Sequence, residues 1–136
     1  MDLSKTLKIS AAGMQAQSAR MRTIAENLAN ADSVADGPGA EPYRRKVLTF
    51  KNALDRAAGV ELVRADRVVR DQSSFQKRFD PNHPGADAEG YVLAPNVNSL
   101  IEVMDMRQAQ RSYEANLNVI EVSKTMILRT IDLLRG

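Results

Sequence analysis

Apolar residues recur at a seven-residue spacing at both ends of the chain, and the middle lacks that rhythm. At the N-terminal end Leu7, Met14, Met21 and Leu28 form one row, and Ser4, Ala11, Ser18 and Ala25 lie three residues before each. A seam of one large and one small row predicts a helix over residues 2 to about 31, open to close backbone approach by a neighbour. The stretch holds no Pro and a single Gly, Gly13, and Asp2 or Ser4 can cap its start. At the rise of an α-helix it runs about 45 Å, too long and narrow-faced to cross a small globular core.

The C-terminal rhythm is longer. Met106, Tyr113, Ile120, Ile127 and Leu134 are each seven apart, with Val103, Gln110, Leu117, Lys124 and Ile131 three residues earlier. Ser99-Leu100-Ile101-Glu102 has the spacing of a capping box, and no Pro or Gly follows until Gly136. These features predict a coiled-coil-like helix over residues 98–136. Polar Gln110 and Lys124 in the second row cost stability but fix register and partner number.

Residues 32–97 read differently. Asp36-Gly37-Pro38-Gly39-Ala40-Glu41-Pro42 is loop chemistry, and Asp80-Pro81-Asn82-His83-Pro84-Gly85 is a second turn cluster. Between and after them, residues 43–50, 60–63, 67–70 and 91–93 predict short strands. The fold class is therefore mainly α with a small β or irregular insert: paired terminal helices at 1–31 and 98–136, and a middle segment at 32–97. With 3 Tyr, 3 Phe and no Trp, that segment buries only a thin core.

The two rows widen beyond what one partner helix covers. Leu128 and Leu133 extend the last helix's apolar face, and Leu3, Ile24 and Ala31 extend the first. An intramolecular antiparallel hairpin explains part of this pattern, and pairing within the chain plus packing between chains explains more, since uncovered apolar surface marks an interaction site. The candidate subunit-interface residues are Leu7, Met14, Met21, Leu28, Met106, Tyr113, Leu117, Ile120, Ile127, Ile131 and Leu134.

Composition removes other classes. The 136 residues carry a formal charge of only +2, with both signs interspersed, so a dedicated nucleic-acid surface is not expected. Short basic runs such as Tyr43-Arg44-Arg45-Lys46 read as solvated faces or subunit contacts. Disulfides and thiolate metal sites are excluded by the absence of cysteine. The N-terminus opens with an acid and is not a cleavable secretory signal, and no stretch approaches the roughly 18 apolar residues of a membrane span. No P-loop, GxGxxG, HExxH or serine nucleophile elbow occurs. His83, in its Pro-flanked turn, reads as a hydrogen-bonded loop residue, and Asp80, Asp87 and Glu89 lack the spacing of a calcium loop. The methionines at helical spacing are adaptable packing rather than a cofactor box. Neither enzyme activity nor a cofactor is expected.

Three motifs, in order and at matching distances, give the chain a resemblance. They are Ala25-Glu26-Asn27-Leu28-Ala29-Asn30-Ala31; Asp80-Pro81-Asn82-His83-Pro84-Gly85-Ala86-Asp87 with Gly90-Tyr91-Val92 and Pro95-Asn96-Val97-Asn98; and Met106-Arg107 continuing to Ser112-Tyr113-Glu114-Ala115-Asn116. Together with Tyr43-Arg44-Arg45 after the Gly/Pro loop, they make the chain similar to the bacterial flagellar rod and hook axial proteins, and within them to the basal-body rod proteins of the proximal rod. That resemblance implies terminal helices that pair within a subunit and stack between subunits as the wall of an inner tube, with the middle segment as a small outer domain. It implies a periplasm-spanning drive shaft that transmits motor torque to the hook. The implied partners are other rod subunits, further copies of the chain, the adapter at the rod base, the surrounding ring proteins and the flagellar type III export apparatus. No nucleic acid and no membrane insertion are implied. The rival reading is a helical-hairpin adaptor or chaperone that binds a single partner.

Overall fold

The computed structural model of the chain describes residues 2–136. Its elements run α1 (Leu3–Ala29), β1 (Lys46–Asp55), β2 (Val60–Arg70), β3 (Gln76–Phe79), β4 (Tyr91–Ala94) and α2 (Ser99–Arg135). Two long helices pack together and enclose in sequence a small insert of two two-stranded sheets, β1-β2 and β3-β4.

The start of α1 is capped by Asp2, whose Oδ1 accepts the Ser4 N–H at 2.9 Å. Its end is closed by Asn30, whose backbone and side-chain N–H groups both reach the Glu26 carbonyl. α2 begins differently from the capping box that the sequence predicts. Asn98 is the cap, accepting the N–H groups of Leu100 and Ile101 at 3.1 and 3.4 Å. Glu102, the expected reciprocal partner, turns away into the interior and is 1 % exposed.

The strands depart from expectation at three points. β1 begins at Lys46 rather than 43, because Arg45 lends its N–H to Asn96 Oδ1 at 2.8 Å and its carbonyl to Asp71 N–H at 2.8 Å. The two short strands expected at 60–63 and 67–70 are one strand, β2. Its middle is held to β1 by Thr49 against the Arg67 backbone and by Lys51 with Asp66 at 3.4 Å. β3 has no apolar alternation in Gln-Lys-Arg-Phe, and pairing alone makes it a strand. It runs antiparallel to β4, with Gln76 opposite Ala94 and Phe79 opposite Tyr91. The Phe79 and Tyr91 rings meet edge-on at 5.3 Å, a favourable aromatic geometry. Gly90, at φ +88°, turns the chain beside them where a Cβ would lie 2.9 Å from the Phe79 ring.

The chain divides into two compact units, each drawing on both helices. One comprises Met1–Met21, Thr49–Arg67 and Arg107–Gly136. Its buried side chains are small (Ser10, Ala12, Ala16, Ala109 and Ser123) apart from Leu62. Gly13 here meets Asn116 so closely that an added Cβ would lie 2.7 Å from Asn116 Nδ2. Small residues at a helix contact bring the backbones together but remove little apolar area from water. The other unit comprises Arg22–Leu48 and Val68–Met106. It buries Ile24, Ala35, Val92, Ala94 and Val97 together with Thr23, Asn27 and Glu102.

Candidate assembly surface

The helices run antiparallel in a fixed register. Asn27 meets Glu102 at 3.2 Å, Arg20 meets Gln108 at 3.2 Å, and Gly13 lies against Asn116. That register places the start of α1 level with about residue 126 of α2. The last two turns or so of α2 therefore project past its partner. Leu128, Ile131, Leu133 and Leu134 are exposed there, the last two at 82 %.

The register is locked at the end of α1 by a buried polar cluster. Asn27 satisfies all four of its hydrogen-bonding positions. Its Nδ2 donates to the Lys46 carbonyl at 2.8 Å and to Glu102 Oε2, while its Oδ1 accepts from Lys46 N–H at 2.9 Å and from the Tyr43 hydroxyl at 2.7 Å. Burial, then the charges of Glu26 and Glu102, push the Tyr43 phenol above its ordinary value, so it stays a donor. Arg45 Nε donates to Glu102 Oε1, and its Nη atoms reach Asp71 at 3.4 Å and Asp105 at 3.6 Å. Burial opposes the charge on Arg45. Hydrogen bonds and charges from Glu102 and then Asp71 outweigh it and raise the guanidinium above its ordinary value. Arg44 also turns inward, donating to the Asp71 and Ser73 carbonyls and standing 4.2 Å over the Phe75 ring. The Tyr43-Arg44-Arg45 run is thus an internal anchor of this unit rather than a solvated face. Every donor and acceptor of its core is engaged in holding the fold.

The apolar residues of α2 form three stripes. The stripe facing α1 holds Met106, Tyr113, Ile120 and Ile127, half-buried, alternating with Glu102, Ala109, Asn116 and Ser123. The second row of the expected heptad, Val103, Gln110, Leu117, Lys124 and Ile131, is exposed. With Leu128 it forms a side stripe about 75° round the helix. Ile101, Met104, Val119, Val122, Met126 and Leu133 form a third stripe, about 120° round on the other side, and all six are exposed. On α1 the large row Leu7, Met14, Met21 and Leu28 is half-buried. In the small row Ser4, Ala11 and Ala25 are exposed and Ser18 is half-buried. Met14 and Tyr113 come together with Ala11, Gln15 and Ser18 along an open groove of about 300 Å³. Of the expected interface set, then, eight residues sit at the edges of the helix pair, Leu117 and Ile131 lie on the side stripe, and Leu134 continues the α1-facing row past the end of its partner.

Sequence reasoning missed the third stripe, because heptad counting follows two rows and stops. It gave Glu102 to a capping box and Arg45 to a solvated face or subunit contact, and did not foresee that Asn27, Arg45 and Glu102 join in one cluster. Asn27 lies in the Asn-Leu-Ala-Asn motif, and a polar residue repeated there inside a helix was the available signal. His83 accepts the Gly85 N–H through Nδ1 at 2.9 Å. Among the described residues no group of acids and His could hold a metal ion, and no helix is long and apolar enough to cross a membrane.

A helix that is apolar on three sides and covered on one is built for a crowded assembly. Comparison with known proteins places the chain in such a class. Residues 7–39 match the family model "Flagella basal body rod protein", and residues 88–133 match "Flagellar basal body rod FlgEFG protein C-terminal". The chain is a flagellar basal-body rod protein, and the rod subunit is favoured over a hairpin adaptor. Within that class it is 49 % identical to the basal-body rod protein FlgC of Agrobacterium fabrum, over 98 % of this chain and 96 % of the relative. It is 40 % identical to FlgC of Aquifex aeolicus over 97 % of both chains, and 39 % identical to FlgC of Salmonella typhimurium over 98 % of both. The chain belongs to the FlgC family of flagellar basal-body rod proteins.

Proposed function

We propose that this subunit is a non-enzymatic building block that polymerises through α1 and α2 into the proximal rod, the shaft carrying motor torque to the hook. In this reading the paired helices form the wall of an inner tube, and residues 32–97 form a small outer domain. Its neighbours are further copies, other rod subunits and the adapter at the rod base, with ring proteins around them. It reaches the periplasm-spanning rod through the type III export apparatus. The single observation that carries the reading is α2, with two uncovered apolar stripes and an uncovered end. Removing a leucine-sized side chain from water contributes about 1.5–3 kcal/mol. Covering the stripes and the projecting end is therefore a strong drive to associate. Contacts that repeat head to tail without closing a ring generate a filament, and dense packing makes it stiff.

Val122 and Met126 test this, because they are 59 % and 51 % exposed and lie on the stripe about 120° round from the one facing α1. Changing both to Asp leaves the folding stability of the full chain within about 0.5 kcal/mol per site. Rod assembly and motility are lost when this variant replaces the native subunit. Normal rod numbers in electron micrographs of the double variant would overturn the reading.

A further inference from the structure

Charge is divided unevenly along the middle of the chain. Residues 23–43 carry Glu26, Asp32, Asp36 and Glu41 with no Lys or Arg, while in residues 44–78 ten Lys or Arg outnumber four Asp or Glu. The acidic half ends in an exposed turn, Asp36-Gly37-Pro38-Gly39, closed by the Ala40 N–H on the Gly37 carbonyl at 3.1 Å. The turn is pinned at its root. Ala35, 3 % exposed, donates its N–H to the Leu93 carbonyl at 3.1 Å, and its own carbonyl lies where a Cβ on Gly85 would stand 2.3 Å away. Asp32 and Asp36 are exposed and make no ion pair among the described residues.

The basic half supplies the cations of a pocket in the same unit. A cavity of about 250 Å³ is lined by Glu41, Pro42, Tyr43, Arg44, Lys46 and Arg70. Lys46 is paired with Glu26 at 2.9 Å, and Arg44 reaches Glu41 only at 3.7 Å. Arg70 is exposed at the end of β2, and its guanidinium makes no ion pair among the described residues. One surface of the chain thus offers a fixed carboxylate without a cation, and another offers a cationic pocket with one guanidinium unused. Both features recur on every copy.

We propose that the pocket bounded by Arg44, Lys46 and Arg70 receives the Asp36 turn of a second copy of this chain. This contact rests on the polymerisation reading and adds to it the charged docking point that orients successive copies. Complementary charge at a rim steers encounter and excludes wrong orientations. A turn held rigid beforehand loses little freedom on docking. The two partners are different surfaces, so the contact repeats head to tail, as an open assembly requires.

Charge exchange tests it in cells where the variant replaces the native subunit, with basal bodies counted by electron microscopy. Asp36→Arg alone and Arg70→Asp alone each lower the count about tenfold, and the two together return it to within about threefold of normal. Neither side chain makes an ion pair or hydrogen bond among the described residues, so unfolding of the purified full chain stays within about 0.5 kcal/mol in all three. The chain has no cysteine, so Asp36→Cys with Arg70→Cys gives a clean second measurement: oxidised basal bodies yield a disulfide-linked dimer of this chain. A double reversal no better than either single one, silent single reversals, or cross-linking only to a different rod protein overturns the proposal. If those results appear while Val122→Asp with Met126→Asp still abolishes rods, the polymerisation reading stands and only the Asp36 contact falls. If the stripe variant is silent as well, both fall.

Discussion

The two compact units solve the same packing problem with different chemistry. Around Asn27, Tyr43, Arg45 and Glu102, helix ends and insert are tied by a polar cluster in which buried Asn27 and Glu102 bond half-buried Tyr43 and Arg45 and the Lys46 backbone. Around Gly13, Ala12, Ala16, Ala109 and Ser123, the helices instead approach closely across small side chains. A satisfied polar cluster permits one arrangement and penalises every other. A small-residue seam permits close contact but leaves the long apolar side chains of α2 on the outside. The unit built on Asn27 and Glu102 fixes the register of its own helix segments by polar contacts. The unit built on Gly13 carries most of the surface that neighbours must cover, and its stability in isolation is correspondingly less supported.

The largest effect expected within the chain comes from breaking the polar cluster. Glu102→Ala leaves Arg45 without its principal partner and Asn27 Nδ2 with one bond fewer, at a cost of about 3 kcal/mol. Chemical denaturation of the full chain measures it, and a loss below about 1 kcal/mol would erase the distinction between the units. Gly13→Leu comes next. Its side chain collides with Asn116, which is itself tied to the Ser112 carbonyl at 3.0 Å, and overpacking of this kind costs about 2 kcal/mol. Adding Asn116→Ala recovers part of that loss if the clash is the cause; since leucine is the better helix former, a Gly13→Leu chain no less stable than the parent would show that Asn116 sets no limit there.

The smallest effect is acid sensitivity at Asp71, in the polar unit. The Ser73 N–H, then the Ser73 hydroxyl and Arg45, hold its carboxyl below the ordinary 3.8. The folded value lies below the unfolded one, so its stabilisation is complete above about pH 4 and is lost as pH falls through the lowered value. Denaturation midpoints stay level from about pH 7 to 5 and decline below about pH 4, with Asp71→Asn removing a part of the decline worth under about 1 kcal/mol. An acid limb identical in Asp71→Asn and the parent chain would assign that sensitivity to other carboxylates.

Much of the fold was legible because its main elements are local. The rows led by Leu7 and by Met106 announce helices by spacing alone, and Gly37-Pro38-Gly39 and Asp80-Pro81 announce where helix and strand cannot continue. What misled was local chemistry with two uses. Glu102 stands where a capping box wants it, yet the half-buried guanidinium of Arg45 is a stronger partner than a helix-end N–H, so Asn98 caps instead. Gln76-Lys77-Arg78-Phe79 has no strand pattern because its partner supplies the order.

The candidate surface was legible in the same measure. The sequence by itself determined that α2 carries more apolar surface than one partner covers, since Leu117, Val122, Met126, Ile131 and Leu134 cannot all share one face. Which stripe meets α1 was decided only by tertiary structure. The stripe that meets α1 is not the most apolar of the three, since the third is apolar throughout and stays exposed, and hydrophobic attraction has no direction. The choice falls to shape and polar complementarity, Gly13 opening space for Asn116 and Asn27 meeting Glu102. Those pairs join residues more than seventy positions apart, which no local pattern can specify.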